Sequence, residues 1–297
     1  MPPVFVVNAR QKEKFVYRAC AGALAQTVPC EVILSDQGST DGTLAEIERA
    51  VREAPRGADH TVRVLHCPVE GPYGMATMNA HMSWIIDQTD AEWIFQSSAD
   101  DYSLPDRVKV CMEAVAHHPC SAVGCTMFFE KPGETNREAM SGYPKQTGYV
   151  PAGEGLTSLA YGSVIGAYKR DFLLKVGSAG DVTPDVFWGY LAALDEGFYV
   201  VCNPQHVHVT HAGLDNTGFG GKLLAAQGDE SMRLNELNQF QLLQVYFACL
   251  EKVQEVHPNG IKQPDYDGLI SMIVGHAYGW LKARMVLHNA GVTPGVM

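Results

Sequence analysis

Two adjacent carboxylates, Asp100 and Asp101, follow an apolar stretch at residues 92–98 and precede a Pro-Asp-Arg sequence that is typical of a helix start. Adjacent carboxylates repel each other unless a cation, a water molecule or a substrate compensates their charge. Carboxylates in this position are therefore candidate ligands for a cation or for a polar substrate.

Two other polar clusters also follow stretches with a β-strand pattern. The first is "SDQGSTDG" at residues 35–42, in which Asp36 ends the predicted strand. Gly38 and Gly42 in this cluster permit close approach of a ligand to the backbone. The second cluster is "PVEGPYG" at residues 68–74. Each cluster is thus expected at the end of a strand.

The elements that would position these clusters are short β-rich stretches that alternate with stretches of helical periodicity through the first 130 residues. The predicted strands lie at 4–7, 30–36, 61–67, 92–98 and 122–129. Such alternation predicts an α/β fold with a mostly parallel central sheet and helices on both faces. Ligands of these sheets bind beyond the carboxyl ends of the strands, where the three polar clusters fall.

The remainder of the chain has a different pattern. Residues 130–160 are rich in Gly, Pro, Glu and Tyr and predict a long loop or an insertion, whereas residues 198–211 predict two further strands. Beyond residue 228 two long helical patterns predict a helical C-terminal region. The wide apolar faces of these helices would pack on the core, pack on each other or form a homodimer interface.

The composition limits the class of protein. A formal net charge of −11 over 297 residues argues against non-specific binding to nucleic acid or to anionic membranes. The eight cysteines form no C-x-x-C pair and several lie in apolar stretches, which predicts reduced thiols in the core. No apolar run approaches the roughly 18–20 residues that span a bilayer, and the N-terminus lacks a signal-type segment. We therefore expect a soluble, cytoplasmic protein.

Three motifs, in matching order and spacing, resemble the family 2 glycosyltransferases of the GT-A fold. "LAQTVPCEVILSDQGSTDGT" at residues 24–43 is similar to the family pattern LAQT-P-EIIVVDDGSTDGT. "GMATMNAHMSWI" at residues 74–85 is similar to G-x-x-x-A-x-N-x-G-I, and "SSADDYSLPDRV" at residues 97–108 is similar to LDADDxxxPDRL. The resemblance implies a GT-A (Rossmann-like) fold and an inverting transfer of a sugar from a nucleoside-diphosphate donor to an acceptor hydroxyl.

The resemblance also implies a domain organisation. A GT-A glycosyltransferase domain would span residues 1–222, with a nucleotide-binding half at 1–130 and an acceptor half at 131–222. Residues 223–297 would form a C-terminal helical extension. The family's P-x-Y-N segment after the first strand is replaced by "VNARQK" at residues 7–12, so no side-chain role carries over to that segment.

A Mn²⁺ or Mg²⁺ ion bound by strand-end carboxylates is a further implication of the resemblance. Asp100 is the first-choice ligand, Asp101 supports it, and His211 in "HVHVTHAG" fits the position of another ligand. A divalent cation held there would bind the donor diphosphate and stabilise the charge on the leaving nucleotide. Ser98 replaces the first Asp of the family's D-x-D pattern, and the loss of one negative charge predicts weaker metal affinity.

The residues implied to bind the donor are Asp36, Gln37, Gly38, Asn79 and Ser98. Gln37 replaces a carboxylate that accepts a hydrogen bond from the base, and an amide can both accept and donate, so the preferred base is left open. The hydroxyl of Ser98 can still bind a ribose hydroxyl. Asn79 occupies the family's A-x-N position, where it would either contact the ligand or orient neighbouring backbone.

Residues 183–201 are similar to the family pattern ED-x-x-LWLRL-x-x-x-G when Gly197 is aligned with the final glycine. This register puts Asp185 at the Glu of the acidic pair, which implies that Asp185 deprotonates the acceptor hydroxyl. A shifted register or Asp181 would also fit, and Asp185 could instead cap the helix that follows.

Other functions stay open at this point. Gln37, Ser98 and Val186 depart from the family pattern, which fits a non-catalytic module that binds a sugar nucleotide. A modified nucleic-acid base is another candidate acceptor, although the negative charge of the chain argues against it. A nucleotidyltransferase would need a basic glycine-rich loop after the first strand, and residues 7–14 contain no glycine.

Overall fold

The computed structural model, which describes residues 1–72, 74–131, 136–139, 147–152, 165–209, 228–256 and 263–290, contains a ten-stranded mixed sheet. The chain divides into two compact units, Met1–Val209 and Thr210–Met297, and the sheet belongs to the first unit. The predicted domain boundary after residue 222 lies outside the described residues.

Ten strands follow one another along the described parts of the chain. They are β1 Val4–Ala9, β2 Glu31–Asp36, β3 Thr61–His66, β4 Trp93–Ser98, β5 Tyr102–Ser103, β6 Ala122–Glu130, β7 Arg137–Ala139, β8 Gly148–Val150, β9 Ile165–Lys169 and β10 Phe198–Val209. Their order across the sheet is β3-β2-β1-β4-β9-β6-β10-β5, with β7 beside β6 and β8 beside β10.

The half of the sheet formed by β3, β2, β1 and β4 is entirely parallel, which confirms the α/β architecture predicted from the sequence. Strand β1 is buried at every position from Val4 to Ala9. Because successive side chains of a strand point to opposite faces, complete burial means that both faces of β1 are covered.

Helices connect these parallel strands, and further helices follow later in the chain. Their bounds are α1 Val16–Leu24, α2 Thr43–Glu53, α3 Met75–Ile86, α4 Arg107–Val115, α5 Arg170–Val176 and α6 Pro184–Leu194 in the first unit, and α7 Gly228–Val256 and α8 Gln263–Asn289 in the second. Helices α1, α2 and α3 each return the chain to the start of the next parallel strand. The carboxyl ends of β1 to β4 therefore meet at one edge of the sheet.

The other half of the sheet departs from the sequence-based expectation. Within residues 130–160, where a loop was expected, the described residues include the short strands β7 and β8. Strands of three residues are too short for an alternating pattern to reveal them. In addition, β9 runs antiparallel between β4 and β6.

Strand β10 is continuous, whereas the sequence predicted two separate strands over the same residues. Its pairing with β6 shifts register between Val201 and His206. Pro204 lies in this interval and has no backbone N–H to donate to a neighbouring strand, which accounts for the irregularity.

In the second unit, α7 and α8 pack along each other, as their helical periodicity predicted. The ring of His276 stacks on Tyr246 with centroids 5.2 Å apart, and its Nδ1 atom lies 2.9 Å from Gln239 Oε1. Within the described part of the chain, no helix is long and apolar enough to cross a membrane. All eight cysteines are free, and all but Cys202 are buried, as expected for thiols in the core.

Candidate functional site at the carboxyl edge of the sheet

The carboxyl ends of β2, β1 and β4 lie side by side. Asn8 of β1 pairs in register with Ser35 of β2 and with Ser98 of β4. Asn8 is buried, and its Oδ1 atom accepts no hydrogen bond from any residue that the structure describes. A buried acceptor without a partner, at the edge where parallel sheets bind ligands, is a candidate to receive a ligand donor. Asn8 therefore joins the candidate site, although the sequence pattern gave no reason to select it.

The side chain of Asp36 shapes the loop after β2. Its Oδ1 atom accepts a hydrogen bond from Ser39 Oγ at 2.5 Å, and its Oδ2 atom accepts one from the Ser39 backbone N–H at 3.1 Å. Gly38 has a φ of +60°, in the left-handed region that glycine adopts without steric cost. Asp36 and Gly38 thus fix a tight backbone turn at the strand end.

Gln37 is buried beside this turn. Its Nε2 group donates hydrogen bonds to the carbonyl oxygens of Val69 at 3.2 Å and Thr77 at 3.1 Å. The remaining polar atom of the amide is Oε1, which can only accept. Gln37 therefore offers the same kind of group as the carboxylate that usually stands at this position.

Asn79 lies fully buried in α3 and binds the loop that precedes α6. Its Nδ2 group donates hydrogen bonds to the carbonyl oxygens of Gly180 at 2.7 Å and Val182 at 2.8 Å. These contacts give Asn79 an orienting role, and its buried Oδ1 atom accepts no hydrogen bond from any residue that the structure describes, so contact with a ligand stays open. Asp181, the alternative candidate base in the same loop, is exposed.

Asp101 is buried and joins the end of β4 to β10. Its Oδ1 atom accepts a hydrogen bond from the Val209 backbone N–H at 3.0 Å and lies 3.0 Å from His208 Nδ1. Its Oδ2 atom lies 3.3 Å from His206 Nε2 and 3.1 Å from His208 Nδ1. Protein groups thus bind both oxygens of Asp101, which was expected as a supporting metal ligand.

Opposite charges stabilise this cluster. Burial acts to raise the pKa of Asp101, but the charge of His208 and hydrogen bonds from both histidines hold that pKa well below its usual range. Burial acts to lower the pKa of His208, but the Asp101 carboxylate outweighs it and raises the pKa to about 9. Burial dominates for His206 and lowers its pKa. At neutral pH the cluster therefore contains an Asp101–His208 ion pair beside a neutral His206.

Asp185, the expected base, lies in the first turn of α6, whose N-cap residue is Thr183. The Thr183 side chain makes no capping hydrogen bond, whereas the Asp185 carboxylate accepts a hydrogen bond from its own backbone N–H. Burial raises the pKa of Asp185, this hydrogen bond acts to lower it, the negative charge of Asp101 raises it further, and the charge of His208 lowers it. The fold therefore brings Asp185 within electrostatic range of the Asp101–His208 pair. A carboxyl group with a raised pKa in a polar cluster is a candidate general base.

Asp100 pairs with Lys12, which lies in the segment 7–12 for which the family resemblance implied no side-chain role. Lys12 Nζ lies 2.7 Å from Asp100 Oδ2, and only 8% and 14% of the two side chains are exposed. Lys12 follows β1 and Asp100 follows β4, and because these are neighbouring parallel strands their following loops meet. The sequence did contain a signal for this pair. A lysine follows the predicted first strand, at the same predicted sheet edge as a carboxylate that lacks a compensating charge.

The donor set of the described residues does not fit a divalent metal site. Lys12 binds one oxygen of Asp100, protein donors bind both oxygens of Asp101, and Ser98 supplies no carboxylate. Among the residues that the structure describes, no group of three His, Cys, Asp or Glu side chains is placed to hold a metal ion. His211, the further expected ligand, lies outside the described residues.

Three solved structures share this fold. TarS of S. aureus in complex with UDP has a TM-score of 0.55 and 15% identity, and the match covers 87% of this chain and 70% of that chain. TarS in complex with UDP-GlcNAc has a TM-score of 0.56 and 14% identity, with 94% and 81% covered. The mannosyltransferase PcManGT from Pyrobaculum calidifontis, in complex with GDP-Man and Mn²⁺, has a TM-score of 0.58 and 14% identity, with 100% and 77% covered. At these identities the likeness shows the fold alone.

A comparison with protein families agrees with the three sequence motifs. No curated protein sequence matches the chain. The family model described as glycosyl transferase family 2 matches residues 4–179, which is more than half of the chain and includes β1 to β4 with the polar loops that follow them. The chain belongs to glycosyl transferase family 2 and is a glycosyltransferase.

Proposed function

We propose that this chain transfers a sugar from a nucleoside-diphosphate donor to an acceptor hydroxyl, with inversion at the anomeric carbon. The observations that carry the proposal are the family 2 match over residues 4–179 and the position of Asp185 in the first turn of α6, within electrostatic range of the Asp101–His208 pair. Inversion by direct displacement requires one carboxylate within reach of the acceptor hydroxyl. Asp185 is contributed by α6, whereas the donor-binding candidates follow the parallel strands, so the base and the donor pocket come from different parts of the domain.

The donor would bind at the edge of the sheet that contains Asn8, Asp36, Gln37, Gly38 and Ser98. The acceptor atom of Gln37 suits an N–H group of a base, and the hydroxyl of Ser98 suits a ribose hydroxyl. Among the structures with this fold, TarS binds UDP and UDP-GlcNAc, and PcManGT binds GDP-Man. These ligands support a nucleotide-sugar donor and leave the base open.

In the proposed reaction, the Asp185 carboxylate accepts the proton of the acceptor hydroxyl while the hydroxyl oxygen forms a bond to the anomeric carbon. The bond between that carbon and the diphosphate oxygen breaks on the opposite face, and its electron pair leaves with the nucleoside diphosphate. Its raised pKa makes Asp185 a stronger base than an ordinary aspartate. The nearby charge of His208 favours the ionised carboxylate that this step requires.

A ligand panel tests the proposal. Nucleoside diphosphates and their sugar conjugates would be screened by thermal shift in separate arms with EDTA, Mg²⁺ and Mn²⁺, because PcManGT is a fold relative that contains Mn²⁺. A ligand that binds the folded state raises its melting temperature. We expect one nucleoside diphosphate to stabilise the protein, and its sugar conjugate to be turned over by the wild type but not by Asp185→Asn. Binding without turnover would support the non-catalytic module, and a panel without any binding would contradict the proposal.

We also propose that α8 forms a homodimer interface. Four of its apolar side chains are largely exposed, at spacings of four, three and four residues: Val274 at 60%, Tyr278 at 68%, Leu281 at 54% and Met285 at 65%. This spacing puts the side chains on one face of the helix, in the repeat with which helices pair in coiled coils. A second copy of the chain, presenting the same face, would cover them.

A further inference from the structure

Lys12 and Asp100 form a largely buried ion pair at the sheet edge where the donor diphosphate is expected to bind. The Lys12 Nζ atom lies 2.7 Å from Asp100 Oδ2. We propose that the Lys12 ammonium, held by Asp100, provides the positive charge that faces the donor diphosphate, in the place that a divalent cation would otherwise take. This inference rests on the proposed function, because it assumes a nucleoside-diphosphate donor.

The backbone of Lys12 is fixed between the starts of two helices. Its N–H donates a hydrogen bond to Thr43 Oγ1 at 2.7 Å, and Thr43 is the first residue of α2. Its carbonyl oxygen accepts hydrogen bonds from the N–H groups of Phe15 and Val16, both at 2.9 Å, and Val16 is the first residue of α1. The charge is therefore preorganised, which is the condition under which a charge stabilises a leaving group efficiently.

The charge balance of the site supports the replacement of a divalent cation by Lys12. In the family's D-x-D pattern two carboxylates and one divalent cation sum to zero. In this chain Ser98 removes one carboxylate, and the remaining pair of Asp100 and Lys12 also sums to zero. One substitution at Ser98 and one lysine after β1 thus reproduce the net charge of the metal-loaded pattern.

Asp101, the neighbouring carboxylate, cannot take the place of the carboxylate that Ser98 lacks without losing its own hydrogen bonds. Asp101 is bound by His206, His208 and the Val209 N–H, and turning it towards a cation would leave these buried groups without their acceptor. Lys12, by contrast, already places a positive charge beside Asp100. An ammonium group has three N–H donors, so it can bind a carboxylate and a phosphate oxygen at the same time.

The first experiment compares nucleotide binding with and without metal. Binding of UDP, GDP, ADP, CDP and dTDP to the wild-type chain would be measured by calorimetry in EDTA and in Mn²⁺, and binding of Mn²⁺ alone would be followed by electron paramagnetic resonance. We expect one diphosphate to bind in EDTA with an affinity close to that in Mn²⁺, and no stoichiometric binding of Mn²⁺ alone.

The second experiment uses matched variants. Lys12→Ala should weaken diphosphate binding in EDTA by about tenfold to hundredfold, the effect of losing one charge-assisted hydrogen bond. Lys12→Arg should retain most of the affinity because the charge remains. Lys14→Ala, at an exposed lysine of the same segment, is the control and should bind like the wild type. Asp100→Asn should bind the diphosphate in EDTA at least as tightly as the wild type, because one negative charge is removed from the site.

The outcomes separate this inference from the proposed function. Diphosphate binding that requires Mn²⁺, or that survives Lys12→Ala unchanged in EDTA, would overturn the role of Lys12 and leave the proposed function intact. Binding of none of the five diphosphates under either condition would contradict the proposed function itself. Because the comparison of EDTA with Mn²⁺ uses the wild type, a requirement for Mn²⁺ would overturn the role of Lys12 even if Lys12→Ala fails to fold.

Discussion

The Nδ1 atom of His208 lies 3.0 Å from Oδ1 of Asp101, and this contact joins the loop after β4 to strand β10. The pair also sets the electrostatic environment of Asp185, because Asp101 raises the pKa of that carboxyl group and His208 lowers it. The contact is therefore both a structural link between two strands and a determinant of the basicity of the proposed catalytic residue.

Replacement of Asp101 should destabilise the fold. Asp101→Asn would leave His208 without its opposite charge and would alter three hydrogen bonds at a buried site, at a cost of about 3–5 kcal/mol in the free energy of unfolding. Urea unfolding followed by circular dichroism measures this cost. Asp90→Asn is the control, since 85% of the Asp90 side chain is exposed, and it should change stability by less than about 0.5 kcal/mol. A stable Asp101→Asn variant that has lost only nucleotide binding would assign Asp101 to the ligand instead.

The His208 contribution to stability should depend on pH. The pKa of His208 is raised from 6.5 to about 9 in the folded chain, so its contribution is fully present below pH 6.5 and is lost as the pH rises towards 9. The shift corresponds to about 3 kcal/mol. We therefore expect the stability difference between wild type and His208→Gln, from urea unfolding, to be large at pH 6.5 and to shrink at pH 9. A difference that stays constant over this range would refute the ion pair.

Asp185→Asn should lower the rate of transfer by about 10²–10⁴-fold, the usual contribution of a general base, while nucleotide affinity stays unchanged. The wild-type rate should rise with pH through the pKa of Asp185, and this acid limb should lie above pH 3.8 because the pKa is raised. His208→Gln should move the limb to higher pH, since the charge of His208 lowers that pKa. A limb that His208→Gln leaves in place would exclude Asp185 as the titrating base.

Asn79→Ala should impair catalysis without a comparable effect on nucleotide binding. The substitution removes the hydrogen bonds to Gly180 and Val182 that hold the loop before α6, at a cost of about 1–3 kcal/mol. We expect a lower kcat with little change in the Kd of the nucleoside diphosphate. Asp87→Asn, at the exposed C-terminal end of the same helix, is the control. Equal losses in kcat and in nucleotide affinity would argue that Asn79 contacts the donor.

The proposed homodimer can be tested by sedimentation equilibrium. Leu281→Lys introduces a charge at the centre of the exposed apolar face of α8 and should convert the dimer to a monomer. Lys282→Ala, at the adjacent exposed position, should leave the dimer intact. A wild-type chain that stays monomeric at micromolar concentration would contradict the interface.

Local sequence patterns were sufficient to predict the strands in the parallel half of the sheet. The predicted strands at 4–7, 30–36, 61–67 and 92–98 agree with β1 to β4 to within two residues at each end. These strands are apolar runs bounded by polar turns, a signal contained in the strand itself. The antiparallel strands β5, β7 and β8 were missed because each has only two or three residues and depends on pairing with β6 or β10.

The strand patterns in the sequence predicted that Asp100 and Asp101 follow a strand of a parallel sheet, and hence that both lie at the edge where such sheets bind ligands. The partners of these two carboxylates follow from the fold: Lys12 pairs with Asp100 from 88 residues away, and His208 pairs with Asp101 from 107 residues away. A strand pattern is set by each residue's immediate neighbours, whereas an ion pair between distant residues depends on which strands lie side by side. Ser98 illustrates the difference, since its loss of charge is visible in the sequence but the lysine that balances it is visible only in the fold.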